Sequence, residues 1–354
     1  MVRLPTGLLS PAHIAAVSSA LPDLVIDQRE VYEDVFRAMY RGLPRAESIF
    51  LNSGVQTRRV MCHPKEWLGD PVPLTGERMK RWAEAAMTLS RRSVASALAN
   101  IDPASIGSLV FASCTGYDAP SPDILLAKEF GLPATLRRTF VGHMGCYAAF
   151  PAIKIGLDAL RARPEEQVLI VCTEICSLHA RPEADLEQAV CHALFGDASA
   201  ALVLSAGAGT GPRILRTHTE TMYSTADQMG WEVLDDGFRM RLSRRVPASI
   251  ASEVEGFTTR LLDPLGLAIS DVQHWSVHAG GPRIIDAVVR ALGLRQEQYQ
   301  ASLDVLADYG NCSSPTSLLV LQRLLDAYRP EPGSTGVLMA FGPGLTMEGL
   351  VLRY

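Results

Sequence analysis

Three things are scarce in this 354-residue chain. No apolar run approaches the ~18–20 residues that a membrane helix needs, which excludes a helical span from the sequence-level reading. Charge of one sign is lacking: 33 Lys and Arg against 38 Asp and Glu leave −5, so nothing electrostatic calls for a nucleic-acid partner. Low-complexity and short-period repeats are absent. With 47% hydrophobic and 20% charged residues, the composition is that of a globular protein, not of a disordered or fibrous one. The first residues, Met1 to Leu9, lack the long apolar stretch and cleavage site of a secretory signal, so a cytoplasmic location is expected.

The seven cysteines (62, 114, 146, 172, 176, 191 and 312) are odd in number and scattered. A disulfide framework is therefore not expected. Cys172, Cys176 and His179 sit near metal-ligand spacing, but zinc would require a fourth partner and closer cysteines. They read as small polarisable residues at the end of a buried strand, and no metal is expected.

Apolar runs at 108–113, 168–172, 200–204, 275–278 and 337–341 read as buried strands. Helical patterns at 148–160 and 316–328 lie among them. Continuous apolar strands alternating with helices predict an α/β protein whose sheet is covered on both faces. Gly-rich Ala206–Gly211 is the clearest punctuation and suggests a boundary between residues 1–208 and 209–354. The two parts echo each other. Phe111, within one strand, precedes Gly145-Cys146 by the same stretch of chain, to within one residue, as Val277 precedes Gly310-Asn311. Each of these pairs is expected to open a helix, with a strand after it. The repetition predicts an internally duplicated fold, in which Cys146 and Asn311 occupy equivalent places at helix N-termini.

Cys146 lies in Gly142-His-Met-Gly-Cys146, a tight turn ahead of small, helix-forming residues. A helix N-terminus favours thiolate and offers free N–H groups to an oxyanion. The competing reading is a buried inert cysteine. A nucleophilic thiolate needs a base, and the best candidate is His278, at a strand end followed by Gly280 and Gly281. Its plainer reading is a hydrogen-bonded structural residue. Asn311 could cap a helix, or its amide could donate to a carbonyl oxygen becoming an enolate.

Together these segments resemble the chalcone synthase-like type III polyketide synthases of the thiolase superfamily. The matching segments are Gly145-Cys146, His278-Ala-Gly-Gly-Pro282, Gly310-Asn-Cys-Ser-Ser314, Leu194-Phe-Gly-Asp197 and Phe341-Gly-Pro-Gly-Leu-Thr-Met-Glu348. The family more often has Pro at position 279. The resemblance runs from about Pro11 to Tyr354 and is closest in style to bacterial members.

The resemblance implies a thiolase-like fold, a five-layer αβαβα duplication. It makes Cys146, in the first half, the nucleophile, and gives the second half its partners His278 and Asn311. It also implies that Phe195 is a gate to the cavity, that Met240 replaces a second gate aromatic, and that Trp231 stands where a glycine sets cavity volume. Cys114, Cys176, His179 and Ser313 are implied as further cavity positions. Ala119 matches a residue that a partner subunit inserts into its neighbour, so a homodimer is expected.

The substrates implied by the resemblance are an acyl-CoA starter and malonyl-CoA, with no separate cofactor. The basic residues that grip coenzyme A do not align cleanly. Arg41, Arg45, Arg58 and Arg59 are only nearby, which keeps an acyl carrier protein open as the donor. The implied activity is acyl transfer: iterative decarboxylative Claisen condensation, then cyclisation to a pyrone, resorcinol or related phenol. Cys114, which some naphthalene-forming bacterial members share, keeps malonyl priming open. The rivals are a ketosynthase III-like single condensation, a cysteine hydrolase and a catalytically dead scaffold.

Overall fold

The computed structural model describes residues 12–69, 71–207 and 209–354. The N-terminal segment read for a signal and Ala208, at the expected boundary, lie outside the described residues. Thirteen strands follow in order: β1 (Ala12–Ala20), β2 (Val25–Asp27), β3 (Thr57–Arg59), β4 (Ile106–Ser113), β5 (Arg137–Gly142), β6 (Gln167–Ile175), β7 (Asp197–Ala206), β8 (Arg213–Thr221), β9 (Met229–Leu234), β10 (Gly237–Leu242), β11 (His274–Val277), β12 (Thr335–Gly342) and β13 (Thr346–Arg353). Nine of them form one sheet in the order β11-β12-β13-β8-β1-β7-β6-β4-β5. The pairs β2/β3 and β9/β10 stand apart as two-stranded units.

The duplication is visible in this order. Counted outward from the centre, one half runs β1, β7, β6, β4, β5 and the other runs β8, β13, β12, β11. Pairing senses match position by position. β1/β7 and β8/β13 are antiparallel, β7/β6 and β13/β12 are antiparallel, and β6/β4 and β12/β11 are parallel. The sheet's halves join where Ala12 and His13 pair with Ile214 and Arg213. Among the described residues, the second half has no counterpart of β5.

The strands are near-continuous apolar runs because both sheet faces are covered. Leu169, Ile170, Val171 and Cys172 of β6 are fully buried, as are Val337, Met339 and Ala340 of β12. Helix α1 (Thr75–Ala97) packs on β1, β6 and β7. Helices α2 (Ala149–Ala162), α3 (Leu186–Leu194), α4 (Val246–Leu262), α5 (Pro282–Leu292), α6 (Gln296–Tyr309) and α7 (Thr316–Arg323) come after it. α2 and α7 form the middle layer: α2 touches β4, β6 and β7 of one half and β13 of the other, and α7 touches β1 and β7 as well as β11 and β12. α4 covers β8 and β13, and α6 covers β11. Helix, sheet, helix, sheet, helix is the five-layer thiolase-like arrangement.

Two expectations are corrected. The helix expected over 316–328 is α-helical only to Arg323 and continues as a π turn over Leu324–Tyr328. Asn311 does not open a helix, since α7 begins five residues later at Thr316. The chain is held extended at Asn311 because its backbone bridges across to Phe195.

Candidate active site

Ligands in α/β sheets gather where parallel strands end. β12 organises that end here. His278 comes directly after β11, and its N–H bonds Met339 O at 2.9 Å. Three residues further along β12, Gly342 lies against the Cys146 turn: a Cβ there would sit 3.5 Å from Cys146 N and 2.6 Å from the Tyr147 ring. Gly145 has φ +78°, and a Cβ on it would strike Pro343 at 2.7 Å. This explains the glycines on both sides of the contact: two backbones meet with no room for side chains.

Cys146 occupies a 3₁₀ turn, Gly145–Tyr147, just ahead of α2. Burial opposes the thiolate expected at this turn. Burial pushes Cys146 up to about 11, with hydrogen bonds from Ser313 and Asn311 pulling the other way. His278 is 2% exposed, and burial pulls it down to about 3. Neither of its ring nitrogens has a hydrogen-bond partner among the described residues. Desolvation thus disfavours the charged form of each group taken by itself.

Asn311 Nδ2 lies 3.9 Å from Cys146 Sγ. Its orientation is set by its other bonds. Oδ1 accepts the Ser313 N–H at 2.8 Å, so the amide NH₂ is what faces the sulfur. The N–H of Asn311 bonds Leu194 O at 2.8 Å, and its carbonyl accepts the Gly196 N–H at 3.0 Å. The Leu194-Phe-Gly-Asp197 segment is thus a backbone bracket for Asn311. A Cβ on Gly196 would meet Tyr309 O at 2.6 Å, and one on Gly310 (φ +69°) would meet Leu194 O at 2.4 Å. Asp197 closes the bracket by accepting from Met61 N at 2.7 Å and Ser177 N at 2.8 Å. Burial raises its pKa to about 6, against these hydrogen bonds.

Behind the cysteine lies Glu174, a residue that the sequence does not single out. This fully buried carboxylate accepts from Cys114 N (3.0 Å), Cys114 Sγ (3.3 Å), Thr115 Oγ1 (2.7 Å) and Ser314 Oγ (2.6 Å). Burial raises its pKa and these donors lower it. A signal is nonetheless there: a lone acid inside Val168–Ile175, an otherwise apolar strand. Cys114 Sγ also lies 3.5 Å from Ser313 Oγ, and Ser313 has the left-handed φ +58°. Cys114 and Ser313 both sit beside Cys146.

Phe195, Met240, Trp231, Cys176 and His179 line a single cavity of about 50 Å³, with Phe36, Gln188, His192 and Phe238 among its other walls. Trp231 and Met240 are cross-strand partners on β9 and β10. His179 stacks on Phe238 at 4.4 Å. Both its nitrogens are used: Nδ1 accepts the Phe238 N–H at 3.1 Å, leaving Nε2–H to donate to Thr115 O at 2.6 Å. Burial lowers its pKa to about 4, so it shapes the wall as a neutral ring. Cys172 lies in β6 and Cys176 in the turn after it. All seven cysteines are buried thiols, and no group of three metal-ligating side chains occurs among the described residues. Ala119 is exposed, outside this chain's cavity. Arg58 faces inward: Nη1 bonds Phe195 O at 3.1 Å and also His192 O, at the end of α3, while Arg41, Arg45 and Arg59 are not buried. No helix among the described residues is long and apolar enough to cross a membrane.

Comparison with known proteins agrees with this architecture. Residues 7–208 match the N-terminal domain of chalcone and stilbene synthases, and residues 215–354 match the C-terminal domain. An alpha-pyrone synthesis polyketide synthase-like protein of Mycobacterium tuberculosis is 34% identical, over 98% of this chain and 92% of the relative. A 3,5-dihydroxyphenylacetyl-CoA synthase of Amycolatopsis balhimycina is 31% identical, over 99% and 95% respectively. The crystal structure of 1,3,6,8-tetrahydroxynaphthalene synthase from Streptomyces coelicolor superposes with a TM-score of 0.89 at 31% identity, covering 97% of this chain and 99% of that one. The chain belongs to the chalcone and stilbene synthase family, and is thus a type III polyketide synthase and an acyltransferase.

Proposed function

We propose that Cys146, His278 and Asn311 carry out repeated decarboxylative condensation of malonyl-CoA onto an acyl-CoA starter. The observation that carries this reading is the Asn311 amide, turned by its own hydrogen bonds so that its donor faces the Cys146 sulfur.

In this reading the Cys146 proton passes to the lone pair of neutral His278 as sulfur attacks the starter carbonyl. The carbonyl–sulfur bond of the thioester breaks, and coenzyme A leaves as thiol with that proton. Malonyl-CoA then loses CO₂. The electron pair of the broken C–C bond becomes an enolate, whose oxygen accepts N–H bonds from His278 and Asn311. A buried site makes such donors worth more than in water. The enolate carbon attacks the Cys146 thioester, forming a C–C bond and breaking the C–S bond. The product is a β-ketoacyl-CoA two carbons longer, and it can reload Cys146.

Phe195, Trp231, Met240, Cys176 and His179 form the walls of the growth cavity, with Cys114 and Ser313 beside the sulfur. Its lining by Phe36, Trp231, Phe238 and Met240 suits an aliphatic starter and a short ketide closing to a pyrone or resorcinol. Residues up to 208 carry the nucleophile and those from 209 carry its two partners. A homodimer fits the exposed Ala119 and the edge strand β5, where Phe140 is 40% exposed. No separate cofactor enters the scheme, and the reaction is placed in the cytoplasm.

The test is a panel of acyl-CoA starters with labelled malonyl-CoA, read by product mass. Two or more labelled units per product are expected, with aliphatic starters preferred. A single unit in every product would move the assignment to a ketosynthase III-like condensation.

A further inference from the structure

The wall that carries Trp231 and Met240 is not part of the main sheet. β9 and β10 form an isolated two-stranded hairpin, and such a hairpin is marginal by itself. Its position is therefore set by what its side chains and free backbone groups hold.

Strand β10 is pinned one residue at a time to the segment from His179 through α3. Phe238 N–H bonds His179 Nδ1 at 3.1 Å. Met240 O accepts from Gln188 Nε2 at 3.0 Å. Between them, Arg239 turns to the opposite face of the strand and meets the irregular acidic stretch ahead of α3. Its Nε lies 3.1 and 3.0 Å from the two Glu183 oxygens, and its Nη2 lies 3.1 Å from Asp185 Oδ2. Glu187 adds a fourth oxygen at 4.0 Å. Asp185 does two jobs, because its Oδ1 also caps α3 by accepting the Gln188 N–H at 2.9 Å. At the hairpin turn, Arg181 pairs with Asp236. Arg239 therefore ties the cavity's hairpin wall to the cap of the helix that supplies Gln188, Cys191, His192 and, just past its end, Phe195.

We propose that Arg239, through Glu183 and Asp185, is a positioning residue that sets how far the Trp231–Met240 wall stands from the α3 wall, and so limits how long a chain the cavity accepts. This rests on reading that cavity as the place of chain growth. The clamp lies behind the wall, so it does not touch the acyl chain. Its side chain is only 20% exposed, and the bonds that flank it lock the same strand to the same segment. Losing it leaves those two bonds to hold the strand alone, so the wall loosens without losing any lining atom.

The experiment is R239A with a mid-length acyl-CoA and labelled malonyl-CoA, read as the distribution of extension numbers, alongside the rate of starter loading on Cys146. The expected result is a shift toward products with one more extension by about threefold to tenfold, the scale of one partly exposed ion-pair cluster, with loading unchanged. R239K, which keeps the charge but not the fork, should fall between R239A and the native protein. Raising ionic strength should shift the native distribution the same way and leave R239A unmoved. E183Q serves if R239A does not fold, because it keeps the arginine and weakens one of its partners. An unchanged distribution in the folded variant, with no response to salt in the native protein, overturns the clamp. Failure of the native protein to load Cys146 at all would instead sink the catalytic reading on which it rests.

Discussion

The two halves of the molecule are one scaffold put to two uses. β4 and β11 are equivalent strands, and the residues just past them are Cys114 and His278. β5 leads to the Cys146 turn in the first half. Nothing equivalent to β5 exists among the described residues of the second, and that gap is where Asn311 lies. Freed from a sheet of its own, the Tyr309–Asn311 stretch pairs instead with Leu194–Gly196 of the opposite half. That pairing brings the Asn311 amide of the second half to 3.9 Å from the Cys146 sulfur of the first. One half holds an acid-side group whose pKa burial raises, and the other holds a base whose pKa burial lowers.

The sharpest way to break this comparison is to remove one partner from each half. C146A should abolish starter loading, measured as acyl-enzyme mass; retained labelling at the site would remove Cys146 as nucleophile. N311A should leave loading near normal and cut malonyl-CoA decarboxylation by about 10²–10³-fold, the usual cost of losing one oxyanion donor. Equal losses in both steps would deny that the second half acts on the enolate.

A smaller effect tests the bracket. G310A must place a Cβ at φ +69° and 2.4 Å from Leu194 O. The strain and overlap together should cost about 2–3 kcal/mol in chemical denaturation. G333A is the control: its φ is +84°, yet nothing lies within 4 Å of the added carbon. It should cost about 1 kcal/mol. Equal losses would mean that the close approach of the two halves at Leu194 carries no energy.

Much of this is legible in the sequence because it depends on local pattern. Buried parallel strands have to be apolar throughout, so Val168–Cys172 and Val337–Phe341 stand out. The repeated distance to Gly-Cys and Gly-Asn exposes the duplication. What escapes depends on partners far away in the chain. Asn311 reads as a helix cap, and its Oδ1 does take a nearby N–H, but the helix is displaced because Leu194 and Gly196 claim its backbone. Glu174 gives no periodic signal; its role comes from donors about 60 and 140 residues distant. Arg239 looks like any outward strand residue until the acidic stretch at 183–187 folds against it.

The protonation of Cys146 is the instance where a local rule and burial pull in opposite directions. A turn leading into α2 offers its N–H groups and predicts thiolate, but those partial charges compete with complete removal of the sulfur from water. Burial pushes the thiol up to about 11 and pulls His278 down to about 3, which favours the neutral form of each. Iodoacetamide should report the difference. If the resting pair is neutral, alkylation of Cys146, followed by peptide mass, should accelerate by about tenfold per pH unit from 7 to 9, because only thiolate reacts. A standing thiolate–imidazolium pair would give a flat profile over that range, and His278 of the second half would then set the charge of the first half's thiol before any substrate arrives.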